Sequence, residues 1–216
     1  MIGLPFLFLS YLVILQTLPD FMKMKELMTY EQMFQVFSQI GTLSDQIKQA
    51  IIQNSRIVQY SKKQKLLSEG EKSDSIYFLI EGAVRVFYLN QEGVETNTWF
   101  LFENELVISV YSFFTSQPSF EYIETLEDCV FIALKKEKLD WLYRNFVEFN
   151  IIGRRLTELY YVRNEAQANS LRMLSAKERY RQLLNTQPQL LQRVSLGHIA
   201  SYLGISAETL SRIRKQ

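Results

Sequence analysis

The sequence predicts an α+β fold in which an antiparallel β-roll, or jelly roll, lies between N-terminal helices and a long helix that leads to a C-terminal helix-turn-helix. Apolar residues recur at three- and four-residue spacing before residue 55 and again after residue 136, which is typical of amphipathic helices. Between residues 56 and 134 they form short runs rich in aromatic and β-branched residues, separated by glycine turns. Such runs favour antiparallel strands over βαβ units.

Composition and charge exclude several classes of protein. With 216 residues, 47% hydrophobic and 22% charged, the chain is neither disordered nor fibrous. The net charge is +1, but basic residues outnumber acidic ones after Gly153, so a polyanion would approach the C-terminal part. A single cysteine, Cys129, excludes an intramolecular disulfide and any metal site with several cysteines. A single histidine, His198, makes zinc ligation and a histidine-based catalytic triad improbable. We expect a buried thiol, a helix-surface imidazole, and no enzyme activity, metal or cofactor.

Residues 1–28 form an apolar N-terminal extension. The stretch from Ile2 to Leu18 has 17 residues with three polar interruptions, fewer than the roughly 20 apolar residues of a membrane helix. It also lacks the positive flank and the small-residue cleavage site of a secretory signal. An extra helix or a start codon placed too early explains it better than a membrane anchor, and the alternative starts are Met22, Met24 and Met28. We therefore expect a cytoplasmic protein.

Helices are predicted on both sides of the roll. The apolar spacing indicates helix from Tyr30 to Asn54, with Ser44 as the N-cap of a second short helix. After a short helix at 138–146, one long helix carries a stripe formed by Phe149, Ile152, Leu156, Leu159, Val162, Ala166 and Met173. This stripe exceeds what a small β domain can cover, so it predicts a parallel two-helix dimer. The alternative is that the stripe packs on its own β domain.

Four runs carry the predicted strands, at residues 75–80, 83–88, 96–102 and 123–134. Gly70 precedes the first run, Gly82 separates the first two runs, and Gly93 follows the second. Glycine suits these turns because it has no Cβ and adopts a positive φ without a steric penalty.

The last forty residues carry the most specific pattern. After a helix at 177–184, Ser195 caps a helix from Leu196 to Leu203, Gly204 ends it, and Ser206 caps the final helix. This is the spacing of a helix-turn-helix.

The outward face of the final helix has the chemistry that base edges require. It carries Ala207, Glu208, Ser211 and Arg212. An arginine such as Arg212 forks onto guanine, and a carboxylate such as Glu208 accepts from cytosine. Phosphate contacts are predicted for Ser206, Thr209, Arg214 and Lys215. The alternative is a small helical cap with solvated charges.

From Tyr30 to Gln216 the chain resembles the Crp–Fnr superfamily, the catabolite-activator-like regulators. The resemblance is carried by the stretch from Glu69-Gly70-Glu71 to Glu81-Gly82 and by Ser206 to Ile213. It implies a cyclic-nucleotide-binding-like sensor domain (29–145), a dimerisation helix (146–174) and a DNA-binding helix-turn-helix domain (175–216). It also implies a homodimeric transcription regulator on a palindromic operator. In the family an arginine, a glutamate and a second arginine meet the bases. Glu208 and Arg212 match the last two, whereas Ala207 replaces the first arginine.

The nucleotide-binding cassette departs from the family. Nucleotide-binding members carry a Gly-Glu pair and, about ten residues on, an Arg-Ser or Arg-Thr pair that holds the cyclic phosphate. Here Ser109 takes the glutamate position, Ser119-Phe120 replaces the second pair, and no Arg or Lys lies between Arg85 and Lys135. A buried phosphate without a cation is poorly stabilised, so we do not expect cyclic AMP to bind. The candidate pocket residues Ser109, Tyr111, Ser119 and Phe120 either hold an apolar ligand or fill the space themselves; the effector is left unknown.

Two further expectations follow from the resemblance. One cysteine cannot hold the iron–sulfur cluster of some members, and the only histidine lies in the DNA-binding part, away from the roll. The family usually continues into a β wing, and the sequence ends at Gln216, which suits either a wingless variant or a truncated chain. A function of another class stays open: a small-molecule-binding or membrane-tethered signalling module whose C-terminal helices bind protein.

Overall fold

The computed structural model describes residues 20–215, with two four-stranded antiparallel sheets between N-terminal and C-terminal helices. This confirms the predicted α+β fold with an antiparallel β-roll. In chain order the elements are α1 (Asp20–Ile40), α2 (Asp45–Asn54), β1 (Ser55–Tyr60), β2 (Lys65–Leu67), β3 (Ser75–Glu81), β4 (Val84–Leu89), β5 (Glu95–Leu101), β6 (Leu106–Val107), α3 (Val110–Thr115), β7 (Tyr122–Thr125), β8 (Cys129–Lys135), α4 (Lys136–Asn145), α5 (Phe149–Met173), α6 (Ala176–Thr186), α7 (Leu190–Arg193), α8 (Leu196–Tyr202) and α9 (Ala207–Arg214).

The N-terminal helix begins earlier than predicted. Helix α1 starts at Asp20, so the boundary expected at residue 28 falls inside a continuous helix. The predictions for residues 1–19 lie outside the described residues. Within residues 20–215, no helix combines the length and the apolar character needed to cross a membrane.

Helices α1 and α2 cover one sheet. The Ser44 hydroxyl accepts a hydrogen bond from the amide of Ile47 at 3.3 Å, so the predicted N-cap of α2 is confirmed. Phe34 and Phe37 of α1 are buried with Ile47 and with Phe78 of the sheet beneath. The helical period of the sequence therefore reflects one apolar face on the roll.

The two sheets have the strand orders β1-β8-β3-β6 and β2-β7-β4-β5. The single apolar run predicted at 123–134 forms two strands, β7 and β8, in different sheets. The chain changes sheet at residues 126–128, a step that hydrophobic spacing does not reveal because both strands are buried. Leu79, Val84 and Phe131 lie in the core between the sheets.

Gly82 lies at another change of sheet, from β3 to β4. Its φ is +105°, and a Cβ there would lie 2.5 Å from the sulfur of Cys129 and 2.6 Å from the carbonyl oxygen of Asp128. Cys129 is buried, its Sγ donates to the Ala83 carbonyl at 3.4 Å, and burial raises the pKa of the thiol to about 11. The predicted buried thiol is confirmed, and it is protonated at neutral pH.

The apolar stripe of helix α5 is buried at its start and exposed further along. Phe149 and Ile152 are buried and Leu156 is half-buried on the cluster under α1, so the alternative of packing on the chain's own domain holds for the start of the stripe. Further along, Leu159 and Val162 are exposed.

We expect Gly82→Ala to destabilise the fold by about 2–4 kcal/mol, because it combines a strained φ with overpacking against Cys129 and Asp128. Gly70→Ala is the matched control, since Gly70 also has positive φ (+85°) but nothing lies within 4 Å of its added Cβ. It should cost only about 1 kcal/mol. Urea unfolding measures both, and equal losses would contradict the close approach at Gly82.

Candidate nucleic-acid interface

Helices α8 and α9 form the tight helix pair that the sequence predicts. The Ser195 hydroxyl accepts from the amide of His198 at 3.3 Å, and the Ser206 hydroxyl accepts from the amide of Thr209 at 3.2 Å. Between the helices Gly204 has a φ of +65°, which allows the sharp turn. Leu210 of α9 is buried against α8. The two helices therefore pack on each other, and one face of α9 is left for solvent.

The predicted base-reading residues share that solvent face. Ala207, Glu208, Ser211 and Arg212 are all exposed. The side chain of Arg212 donates to the Thr209 hydroxyl at 3.2 Å. The backbone amide of Glu208 and the Ser206 hydroxyl lower the pKa of the Glu208 carboxyl, so the group is an ionised acceptor at neutral pH.

The predicted phosphate-contacting residues fall into two groups. The hydroxyls of Ser206 and Thr209 lie 3.2 Å apart at the N-cap of α9, so both already serve the cap. Arg214 and Lys215 are exposed at the other end of the helix. Both ends of α9 thus carry polar groups, and only the second end carries cations.

The helices α6 to α9, which we call the reader, share their core with the roll. Leu190 and Ile199 of the reader are buried in the same cluster as Ala83, Phe100 and Phe102 of the roll. Helix α7, which carries Leu190, was missed by the sequence analysis because its four residues are too short to show a period. The reader is therefore docked on the roll.

Strand β5, the last strand of its sheet, is the docking edge. Gln167 of α5 donates to the carbonyl of Thr98 at 2.7 Å, and Gln187 donates to the carbonyl of Phe100 at 3.2 Å. The hydroxyl of Ser201 in α8 donates to the Glu95 carbonyl at 2.8 Å and accepts from the Asn97 amide at 3.1 Å. Side chains thus satisfy backbone groups that an edge strand would otherwise leave to water.

A guanidinium clasp joins the reader to two loops of the roll. Arg193, at the end of α7, binds both carboxylate oxygens of Glu103 at 2.7 Å and the two oxygens of Glu127 at 2.9 and 2.7 Å. Hydrogen bonds from Arg193 hold the pKa of Glu103 at about 2, and the two carboxylates raise the pKa of Arg193 further above its usual range. The three side chains are 20–34% exposed, so the clasp is partly shielded from water.

A second charged group lies where α8 meets β4. Arg85 is 5% exposed, its Nε donates to Glu124 at 2.9 Å, and it also pairs with Glu95. His198 was expected at the helix surface, but it is half-buried, with its Nδ1 3.1 Å from an Arg85 nitrogen. Burial and then the charge of Arg85 lower the pKa of His198, so the neutral ring accepts from Arg85.

The cassette residues form two pairs. Ser109 and Ser119 are 1% and 3% exposed and their hydroxyls lie 3.3 Å apart, and the Ser119 hydroxyl donates to the Glu121 carbonyl at 2.9 Å. The rings of Tyr111 and Phe120 are exposed and 5.2 Å apart. Burial raises the pKa of the Glu121 carboxyl, which is hydrogen-bonded to Ser109. The Ser109 and Ser119 positions of the cassette thus carry a hydroxyl pair, with the carboxyl group of Glu121 beside it.

Comparison with known proteins agrees with this architecture. The family model of the cyclic nucleotide-binding domain matches residues 57–146. The cAMP-activated global transcriptional regulator CRP of Salmonella typhimurium is 24% identical over 179 residues, covering 76% of this chain and 83% of the relative. The CRP of Pasteurella multocida is 25% identical over 183 residues, with the same coverage. These similarities support the resemblance to the Crp–Fnr superfamily.

Solved structures share the fold of this chain. FixK2 from Bradyrhizobium japonicum has a TM-score of 0.64 at 20% identity, covering 75% of this chain and 83% of that one. A crp/fnr-family protein from Eubacterium rectale has a TM-score of 0.63 at 16% identity, covering 80% and 82%. In this chain, Glu103 and Glu127 lie inside the segment that matches the cyclic nucleotide-binding domain, and Arg193 lies outside it. The clasp therefore links the roll to the reader.

We expect Arg85→Met to lower the free energy of unfolding by about 3 kcal/mol, because it leaves Glu124 partly buried without a cation. Arg154→Met is the matched control: Arg154 also pairs with a glutamate, Glu158, but both side chains are more than half exposed. Its loss should stay below about 0.5 kcal/mol. Chemical unfolding distinguishes the two pairs, and similar losses would contradict the role of burial at Arg85.

Proposed function

We propose that this protein is a cytoplasmic, homodimeric, sequence-specific DNA-binding transcription regulator of the Crp–Fnr superfamily that reads a palindromic operator and does not respond to cyclic AMP. The observation that carries the proposal is the exposed face of α9, where Glu208 and Arg212 stand on a helix anchored by Leu210. A rigid helix with an acceptor and a forked donor one turn apart suits the edges of bases in a major groove.

The base contacts follow from these side chains. The side chain of Arg212 must break its hydrogen bond to the Thr209 hydroxyl before it can donate two hydrogen bonds to the O6 and N7 of a guanine. The ionised carboxylate of Glu208 accepts from the N4 amine of a cytosine. Ala207 offers a methyl group where the family has an arginine, so the half-site should have one guanine contact fewer than that of the catabolite activator.

The exposed part of α5 supports a homodimer. Four residues of the stripe are exposed: Leu159, Val162, Ala166 and Met173. They are three, four and seven residues apart, which is the spacing of a two-helix seam. Two parallel copies of α5 would place two readers side by side. Reading helices about 34–36 Å apart match successive major grooves on one side of the DNA.

The cassette supports a response that is independent of cyclic AMP. The Ser109 and Ser119 hydroxyls lie 3.3 Å apart, and the half-buried Glu121 carboxyl lies beside them. The buried cation of the roll, Arg85, is committed to Glu95 and Glu124. A cyclic phosphate would therefore meet hydroxyl and carboxyl groups without a compensating cation.

We expect Arg212→Ala to weaken binding to a selected operator by about 10- to 100-fold, because one bidentate base contact contributes about 1–3 kcal/mol. Arg172→Ala, which removes an exposed arginine from α5, is the control for lost charge and should change the affinity less than twofold. Fluorescence anisotropy at fixed salt measures both.

The same titration includes cyclic AMP as a further arm. Unchanged operator affinity with the nucleotide supports the proposal, and tighter binding would refute independence from cyclic AMP. Wild-type affinity retained by Arg212→Ala would refute the assignment of the reading face.

We expect Val162→Glu to convert the dimer to monomer, since it places like charges face to face in an apolar seam. Tyr161→Glu is the matched control, because Tyr161 is as exposed (69% against 65%) but lies off the seam. Sedimentation velocity should show a dimer for the wild type and for Tyr161→Glu, and a monomer for Val162→Glu. A wild-type monomer at high protein concentration would count against the homodimer.

A further inference from the structure

We propose that Arg193 is a positioning residue: by clasping Glu103 and Glu127 together it fixes the orientation of the reading helix α9 relative to the roll. This inference rests on the proposed DNA-binding function and names the side chains through which the sensor would act on it.

The geometry of the clasp suits an arginine. One planar guanidinium makes a pair of hydrogen bonds to each of two carboxylates, and all four distances lie between 2.7 and 2.9 Å. The guanidinium also lies over the ring of Phe102, 5.0 Å from its centroid. Two bidentate forks on one rigid group define direction as well as distance, which the point charge of a lysine cannot do.

The two carboxylates stand on either side of the cassette. Glu103 follows β5 and precedes the cassette, whereas Glu127 follows β7, the strand after it. Glu103 is also tied to the change of sheet at Gly82, whose amide donates to it at 2.9 Å. A rearrangement of the cassette that shifts one carboxylate relative to the other would break one of the two forks.

On the reader side, Arg193 acts close to the helix pair. The next residue, Val194, is buried in the reader core, and Ser195 is the N-cap of α8. Helix α8 in turn holds α9 through Leu210. A displacement at Arg193 therefore reaches the reading helix with almost no flexible chain between them.

If Arg193 only stabilised the fold, its loss would have different effects on DNA binding. Loss of a partly exposed pair lowers stability slightly and weakens binding to every DNA sequence alike. Loss of a positioning contact leaves each reading helix competent but relaxes the spacing between the two copies. The spacing preference of the dimer therefore separates the two roles.

The experiment uses the full chain and three duplexes that carry the half-sites selected by the wild-type protein. One duplex keeps the selected spacer, and the others lengthen or shorten it by about two base pairs, a change large enough to rotate one half-site about the DNA axis. We expect the wild type to prefer its own spacing by on the order of tenfold or more, since a wrong spacing forces the DNA or the protein to deform.

Arg193→Gln should reduce that preference to less than about threefold, and Arg193→Lys should not restore it, because lysine lacks the fork. The double variant Arg193→Gln/Glu103→Gln should behave like the single one, since both remove the same contact. Arg154→Gln, which breaks an exposed pair on α5, is the control and should keep the wild-type preference.

Three outcomes decide the matter. A flattened spacing preference with unchanged single-half-site affinity supports the positioning role. A wild-type preference retained by Arg193→Gln overturns that role alone, whereas a wild type that selects no operator overturns the proposed function and the positioning role together. If Arg193→Gln does not unfold cooperatively, Glu127→Gln replaces it as the deciding variant, because it keeps the fork to Glu103.

Discussion

The hydrophobic cluster shared by the reader and the end of strand β5 is the constraint on which the rest of the structure depends. Phe100 and Phe102 are buried by reader residues, so roll and reader each lack part of their core without the other. Once the reader lies there, its side chains come within reach of the β5 edge and its arginine comes within reach of the acidic loops. The polar contacts then define one orientation among the many that apolar burial would allow.

The uneven distribution of charge along the chain finds its explanation at this contact. The roll supplies Glu103 and Glu105, and the basic C-terminal part supplies their partners Arg193 and Arg163. Part of the C-terminal basic charge therefore forms ion pairs within the molecule. Arg212, Arg214 and Lys215 stay exposed at the end of α9, where a polyanion can reach them.

Short-range features could be predicted from the sequence, and long-range pairings could not. The caps at Ser44, Ser195 and Ser206 and the turn at Gly204 were predictable because each depends on residues within one helical turn. The split of the run at 123–134 was not, because buried strands in different sheets have the same composition. The clasp was also hidden, since its carboxylates lie 90 and 66 positions from Arg193 and nothing local marks them as partners.

The candidate site shows the same division. The outward face of α9 follows from helical periodicity, so Ala207, Glu208, Ser211 and Arg212 are exposed together as predicted. The cassette needed the fold: only the structure places the Ser109 and Ser119 hydroxyls together and leaves Tyr111 and Phe120 outside. His198 was predicted at the helix surface, but it contacts a buried arginine because the helix that carries it packs on the sheet.

The most direct test of the account is selection of DNA from a random duplex library by the full chain, followed by sequencing of the bound fraction. The account predicts enrichment of a palindrome whose two half-sites are centred about one helical turn apart and each contain a G·C pair opposite Arg212 or Glu208. Enrichment that is absent, or that lacks twofold symmetry, would contradict it.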